Sequence, residues 1–227
     1  MPLFATLDLL ALIFFALTWG AYAAVLELTP HGREALNARM HSYRDEWMQE
    51  LLKRDARMVD GQIMASLQNG SAFFASTSLI AIGGTLTILR STDDLISIVS
   101  TLPFGIPTTR MEWEIKTIGL ATIFVYAFFK FAWAYRLFNY VAIMIGAMPP
   151  ATAKDTPEAK LHVKRTARLC ESAGRHFNRG QRAFFFALGY LGWFVSPWLL
   201  FVSSLAIFAV LWARQFRSDA SFAIKSE

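Results

Sequence analysis

The sequence predicts an all-α, polytopic membrane protein, a single membrane domain over residues 1–227 with four transmembrane helices and long amphipathic cytoplasmic extensions. Three observations predict it. Hydrophobic residues make up 55% of the 227 and charged residues 17%, against about 25% charged in an average soluble chain. The apolar residues collect in four long runs. The charges collect in two helical patterns between those runs. A small soluble chain must cover its surface with polar groups, and 22 basic plus 17 acidic residues are too few. A lone cysteine, Cys170, excludes a disulfide scaffold.

The first run covers about residues 3–28 and is broken only by Asp8 and Glu27. No Lys or Arg precedes Asp8, so a retained helix is expected there rather than a cleaved leader. The second covers 72–89, bounded by Asn69-Gly70 and Arg90; the third covers 117–148 and contains Lys130 and Arg136; the fourth, 183–213, carries no charge until Arg214. Each is long enough to cross a hydrocarbon core of about 30 Å. The third would be about 48 Å long as a helix and should protrude, ending at Pro149-Pro150.

With four spans, the two termini and the 90–116 loop share a face. That face carries Arg90, Arg110, Lys116, Arg214, Arg217 and Lys225, six basic residues, while segments 29–70 and 150–182 carry fourteen. Basic residues favour the cytoplasmic side. The count therefore predicts a bacterial inner-membrane protein with both termini outside. It also accounts for the net charge of +5 without nucleic acid.

Residues 33–68 and 156–181 read as amphipathic helices. In the first, Leu36, Met40, Tyr43, Trp47 and Leu51 recur at helical spacing, and Val59, Ile63 and Leu67 follow. In the second, Asp155 or Thr156 suits a cap, and Ala159, Val163, Ala167, Cys170 and Phe177 form an apolar stripe. The opposite face is basic and ends in Arg175, His176, Arg179 and Arg182. These four could hold anionic lipid head groups, or serve only as a solvated, topology-setting face. No proline interrupts either segment, so the second and fourth spans are expected to be the ends of long helices. The halves echo one another: Phe14-Phe15 with Trp19 matches Phe128-Phe129 with Trp133, and Ala72-Phe73-Phe74 matches Ala183-Phe184-Phe185. Such echoes suggest a parallel two-fold internal repeat.

Charges within lipid cost several kcal/mol unless paired or hydrated. Glu27 and Arg136 should reach the same border and pair, with Lys130 snorkelling nearby or lining an anion path; Asp8 is expected to be hydrated. The second span offers Ser71, Ala75, Ser76, Ser78, Gly83 and Gly84. Small and hydroxylated residues serve close helix packing, or line a narrow pore. The four histidines and one cysteine show no metal-ligand spacing, and no nucleotide loop or nucleophile motif occurs. No catalytic residue, metal or cofactor is expected.

Three blocks carry a family resemblance: Trp47-Met48 through Asp55 and Asp60; Phe73-Phe74-Ala75-Ser76-Thr77-Ser78 with Gly83-Gly84; and His176-Phe177-Asn178-Arg179-Gly180 through Arg182 to Trp193 and Pro197-Trp198. In this order they resemble the DUF five-nine-nine family, membrane proteins of unknown function found in proteobacteria and plants. The resemblance implies a multispan membrane protein and brings no reaction, ligand or site residue. Three functions follow as expectations: a homo-oligomeric channel- or transporter-like assembly for an ion or small anionic solute; an accessory or scaffold subunit of a larger membrane complex; or a lipid-binding or lipid-modifying protein. The expected partners are membrane lipids and further copies or subunits.

Overall fold

Helix-ending chemistry sets where each element starts and stops. In the computed structural model, which describes residues 4–102 and 107–224, the helices are α1 (Thr6–Leu28), α2 (Leu36–Leu52), α3 (Met58–Arg90), α4 (Thr92–Ser100), α5 (Arg110–Gly146), α6 (Pro157–Tyr190), α7 (Pro197–Phe216) and α8 (Asp219–Ala223). No strand occurs among the described residues. Four helical stretches are long and apolar enough to cross a membrane: Thr6–Leu28, Met58–Arg90, Arg110–Gly146 and Pro197–Ala223.

Three expectations about boundaries are corrected. The first concerns the fourth span. The apolar run 183–213 is not one helix: α6 ends at Tyr190, Leu191–Phe194 form a 3-10 turn, and α7 starts at Pro197. Proline drives the residue before it to extended backbone, and Ser196 is extended, with its hydroxyl accepting from Leu199 N at 3.2 Å. Ser-Pro is thus an N-cap followed by proline at the first helical position. Gly192 permits the tight return, since a Cβ there would stand 2.8 Å from Ser203 Oγ and 2.9 Å from the Leu199 carbonyl oxygen.

The second correction concerns the third span. Its helix starts seven residues before Thr117, because Thr109 and Glu112 make a capping box: Thr109 N donates to Glu112 Oε2 at 2.7 Å, and Glu112 N donates to Thr109 Oγ1 at 3.3 Å. The third concerns the 33–68 segment, which splits at residues 53–57 into α2 and the start of α3. By contrast α3 runs unbroken through Gly70, and α6 through Gly180. Thr156 caps α6, accepting from Ala159 N at 3.3 Å.

The chain forms two compact units. Unit 1 comprises Met1–Leu36, Ser78–Tyr126 and Arg182–Glu227; unit 2 comprises Asn37–Thr77 and Ala127–Gln181.

Unit 1 is built on rings. Trp19 stacks on Phe186 at 5.4 Å, and Phe15 meets Phe186 and Tyr190 edge-on at 5.8 and 5.4 Å. The pairings also fix helix direction. Going up α1, Phe14 meets Phe201, Tyr22 meets Phe208, and the Tyr22 hydroxyl donates to the Leu211 carbonyl at 3.1 Å. Numbers on α1 and α7 rise together, so these helices run the same way. On α6 they fall: Arg182 lies at Glu27, Phe186 at Trp19, and Trp193, just past its end, at Asp8. The Asp8 end of unit 1 thus holds the start of α1, and the Glu27 end holds the end of α7. The proline break thus reverses the chain within unit 1, where one straight helix was expected over 183–213.

Unit 2 has an aliphatic core. Met48, Leu51 and Leu52 of α2, Met64 of α3, Leu137, Phe138, Val141 and Ile145 of α5, and Ala159, Val163, Ala167 and Cys170 of α6 are buried together. The stripe expected on α6 is therefore the core stripe. Of the stripe expected further along 33–68, Leu67 packs against the core, whereas Val59 and Ile63 are exposed and Met64, 1% exposed, takes the buried place. The turn at 53–57 breaks the period.

Candidate functional site

Unit 1 neutralises its internal charges in pairs. Lys116, near the start of α5, is 4% exposed; its Nζ lies 3.3 Å from Asp8 Oδ1 and donates to the Trp193 carbonyl at 3.1 Å. Trp193 Nε1 donates to the same Asp8 oxygen at 2.7 Å, and the ammonium also lies 5.0 Å from the Trp193 ring centroid. Asp8, expected to be hydrated, is in fact the anion of a buried knot that ties α1, α5 and the α6–α7 turn together. At the other end of α1, Glu27 accepts from Arg182 at 2.6 Å, and the same guanidinium lies 5.8 Å from the Tyr22 ring. Arg182 is 8% exposed. Within unit 2, Arg136 Nε donates to the Tyr140 hydroxyl at 2.9 Å one turn along α5. Sequence position did not single out Arg182, the cation that α6 brings to Glu27. No motif announces either knot, since the partners are 77 or more residues apart.

The candidates on α3 divide by face. Ser71 and Ser78 are buried, and Ser71 Oγ donates to the Leu67 carbonyl at 3.0 Å. Ala75 is half-buried. Ser76, Gly83, Gly84 and Thr87 are exposed, along with Ile80 between them. At spacings of three and four residues, Ser76, Ile80, Gly83 and Thr87 share one side of the helix. Among the four stretches long and apolar enough to span, that of α3 keeps the smallest share of its apolar residues buried, 11% against 39% in Arg110–Gly146.

In unit 2 the basic end of α6 is partly committed. Arg175 pairs with Glu171 one turn earlier, and the same carboxylate oxygen lies 3.0 Å from His41 Nδ1. Arg175 is exposed, and His176 and Arg179 are half-buried. The His176 ring lies 6.4 Å from that of Trp133, and its Nδ1 is buried with no hydrogen-bond partner among the described residues. Burial lowers its pKa, and Lys130, Arg179 and Arg175 lower it further. Arg182, the fourth head-group candidate, is held in the Glu27 pair of unit 1. Cys170 is buried and its pKa is raised to about 11 by that burial, which leaves it a packing residue. No group of three metal-ligating side chains occurs among the described residues.

Sequence reasoning missed the clamp at the α2–α3 break. Asp60, 1% exposed, accepts from Trp47 Nε1 at 2.7 Å and from Arg54 at 2.9 Å. Arg57 donates to the carbonyls of Met148 and Pro149 at 2.8 and 2.6 Å, just past the end of α5. Asp55 accepts from Ala151 N at 3.0 Å. This satisfies backbone groups that a helix end and a Pro-Pro step leave open. The sequence signals were the close spacing of charges from Arg54 to Asp60 and the place of Trp47, Asp55 and Asp60 in the first resemblance block.

A family model described as protein of unknown function, DUF599, matches residues 10–220. No curated protein and no solved structure matches the chain.

Proposed function

We propose that this chain, which belongs to the DUF599 family, is an integral membrane protein that assembles with copies of itself along α3 into a channel- or transporter-like complex for an ion or small anionic solute. The exposed row of Ser76, Gly83, Gly84 and Thr87 carries the proposal. In lipid, hydroxyls and bare backbone gain little from acyl chains but gain from another helix or from water. The described residues of unit 1 fill its interior with stacked rings and paired ions. A conducting path would then lie between copies, with Lys130 and Arg136 of α5 biasing passage toward anions.

The membrane in this proposal is the bacterial inner membrane, with the Asp8 end of unit 1 outside. That choice differs from the four-pass count. It puts the end of α7 inside, so Arg214 and Arg217 join the fourteen basic residues of segments 29–70 and 150–182, against Arg90, Arg110 and Lys116 outside. Sixteen to three is a stronger asymmetry than fourteen to six. Lys225 lies outside the described residues. The two-fold repeat belongs to the same proposal, although the breaks at 53–57 and 191–196 fall at different points of the two halves.

Cysteines placed at Ser76 or Gly83 are expected to cross-link two copies in native membranes, whereas a cysteine at the buried position Ser78 should not. Solute flux unchanged by Ser76→Leu and Arg136→Ala together would sink the conducting role. The accessory reading rests on exposed aromatics of α5 and α7: Phe129 is 64%, Trp133 50% and Trp198 64% exposed. It predicts stoichiometric unrelated subunits after mild solubilisation, with no α3 cross-link. A lipid-binding role would draw on Arg175, His176 and Arg179.

A further inference from the structure

Away from α3, unit 2 holds a cavity of about 590 Å³ between the second half of α2, the loop before α6 and the first turns of α6. Lys53, Lys154, Lys160 and Lys164 line it. Lys53 is already paired with Glu50 at 2.5 Å. The other three have no carboxylate within ion-pair distance among the described residues. Lys160 and Lys164 are one helical turn apart, a like-charge spacing that destabilises an isolated helix. The sequence keeps both, and they face the same cavity.

Two carboxylates also line it. Asp45 is engaged by Gln49, whose amide donates to it at 2.8 Å, and Asp155 stands beside Lys154 in the loop. The lining thus carries four positive charges against two negative. Its apolar surface comes from Leu52 and Val163, each 6% exposed, at the edge of the unit 2 core. The volume falls within the 300–1,000 Å³ typical of small-molecule sites and exceeds what a bare anion fills.

We infer that this cavity binds an organic phosphate: the phosphate between Lys154, Lys160 and Lys164, its body over Leu52 and Val163, and a hydroxyl donating to Asp45. Three lysines on two segments act as convergent point charges, the manner in which lysine binds phosphate. Asp45 and Asp155 weigh against a polyanion without hydroxyls, so the site should prefer a sugar-type phosphate to an inorganic one. The inference does not rest on conduction or on assembly through α3.

The test uses the full-length protein in nanodiscs of neutral phosphatidylcholine, titrated calorimetrically with fructose bisphosphate and with inorganic pyrophosphate. The sugar phosphate is expected to bind saturably and more tightly than pyrophosphate, and to weaken as salt screens the lysines. Its affinity should fall about tenfold or more in the Lys160→Gln/Lys164→Gln variant, and by less in Lys53→Gln, where Glu50 already occupies the ammonium. Lys154→Gln lies in the loop, outside any α-helix, and gives the same reading if the double variant folds poorly by circular dichroism. Nanodiscs containing phosphatidic acid distinguish the source of the phosphate. Unchanged affinity there identifies a soluble ligand, and competition identifies a lipid head group in the same pocket. Equal binding by the wild type and the lysine variants, or no saturable binding of either probe, would overturn the site.

Discussion

Both units bury some charge in pairs, and unit 2 also leaves three lysines uncommitted around a cavity. In unit 1 the side chains of Lys116 and Asp8 are 5% and 14% exposed, and their pair is closed over by tryptophan. In unit 2 the Lys53–Glu50 pair is 59% and 61% exposed, and three further lysines stand uncommitted. Unit 1 packs rings; unit 2 packs aliphatic chains and small residues beside a cluster of Phe74, Phe131 and Phe177. An ion buried among rings must be neutralised where it stands, whereas one at a wet surface need not be. The lesson is that buried charge ties helices together in both units, at Asp8 and Glu27 in unit 1 and at Asp60 in unit 2, while the three cavity lysines of unit 2 are left available to other molecules.

The largest expected effect breaks that contrast at its sharpest point. Lys116→Met should strand the Asp8 carboxylate and cost about 3–5 kcal/mol, whereas Lys53→Met should change stability by less than about 1 kcal/mol. Both are read as thermal midpoints of the purified protein. A Lys116 variant as stable as the wild type would mean that the knot is wet and that the comparison fails.

A smaller effect is expected at Gly180, where α6 passes Phe131 of α5. A Cβ there would stand 2.8 Å from that ring, and Phe131 is fully buried. Gly180→Ala should therefore cost about 1–3 kcal/mol through overpacking. At Gly146 a Cβ would meet nothing within 4 Å, and the same substitution should cost nothing of that kind. Chemical denaturation of the two variants side by side measures the difference.

The smallest effect is on pH. Burial lowers the pKa of His41, helped by Arg44 and opposed by Glu171, and burial together with Lys130 lowers that of His176. Each ring then takes its proton at lower pH when folded than when unfolded. The unfolded chain binds the extra proton first, so stability should decline as pH falls through the ordinary value of 6.5. His41→Gln should flatten the decline in the thermal midpoint between about pH 7 and about pH 5.5. A slope unchanged by that substitution would assign the acid sensitivity elsewhere.

Much of the fold was legible along the chain. Apolar runs marked α1, α3 and α5 because a spanning helix must be apolar over some 20 residues, whatever surrounds it. Ala159, Val163, Ala167 and Cys170 identified the buried side of α6 because a stripe at helical period has one side to bury. The Ser196-Pro197 step was also present in the sequence, as a cap and a first-turn proline, but its signal is overwhelmed when hydropathy is averaged across it. The pairs were not legible. Asp8 finds Lys116 and Trp193, and Glu27 finds Arg182, across separations no local pattern encodes.

By itself, then, the sequence determined that this DUF599 protein is helical and apolar enough for a membrane, since composition and periodicity are local properties. Tertiary structure decided which charges neutralise one another, that α7 runs with α1 rather than against it, and that three lysines converge on one cavity. Each of these depends on the packing of helices distant in sequence, and a one-turn shift of any helix would have given different partners.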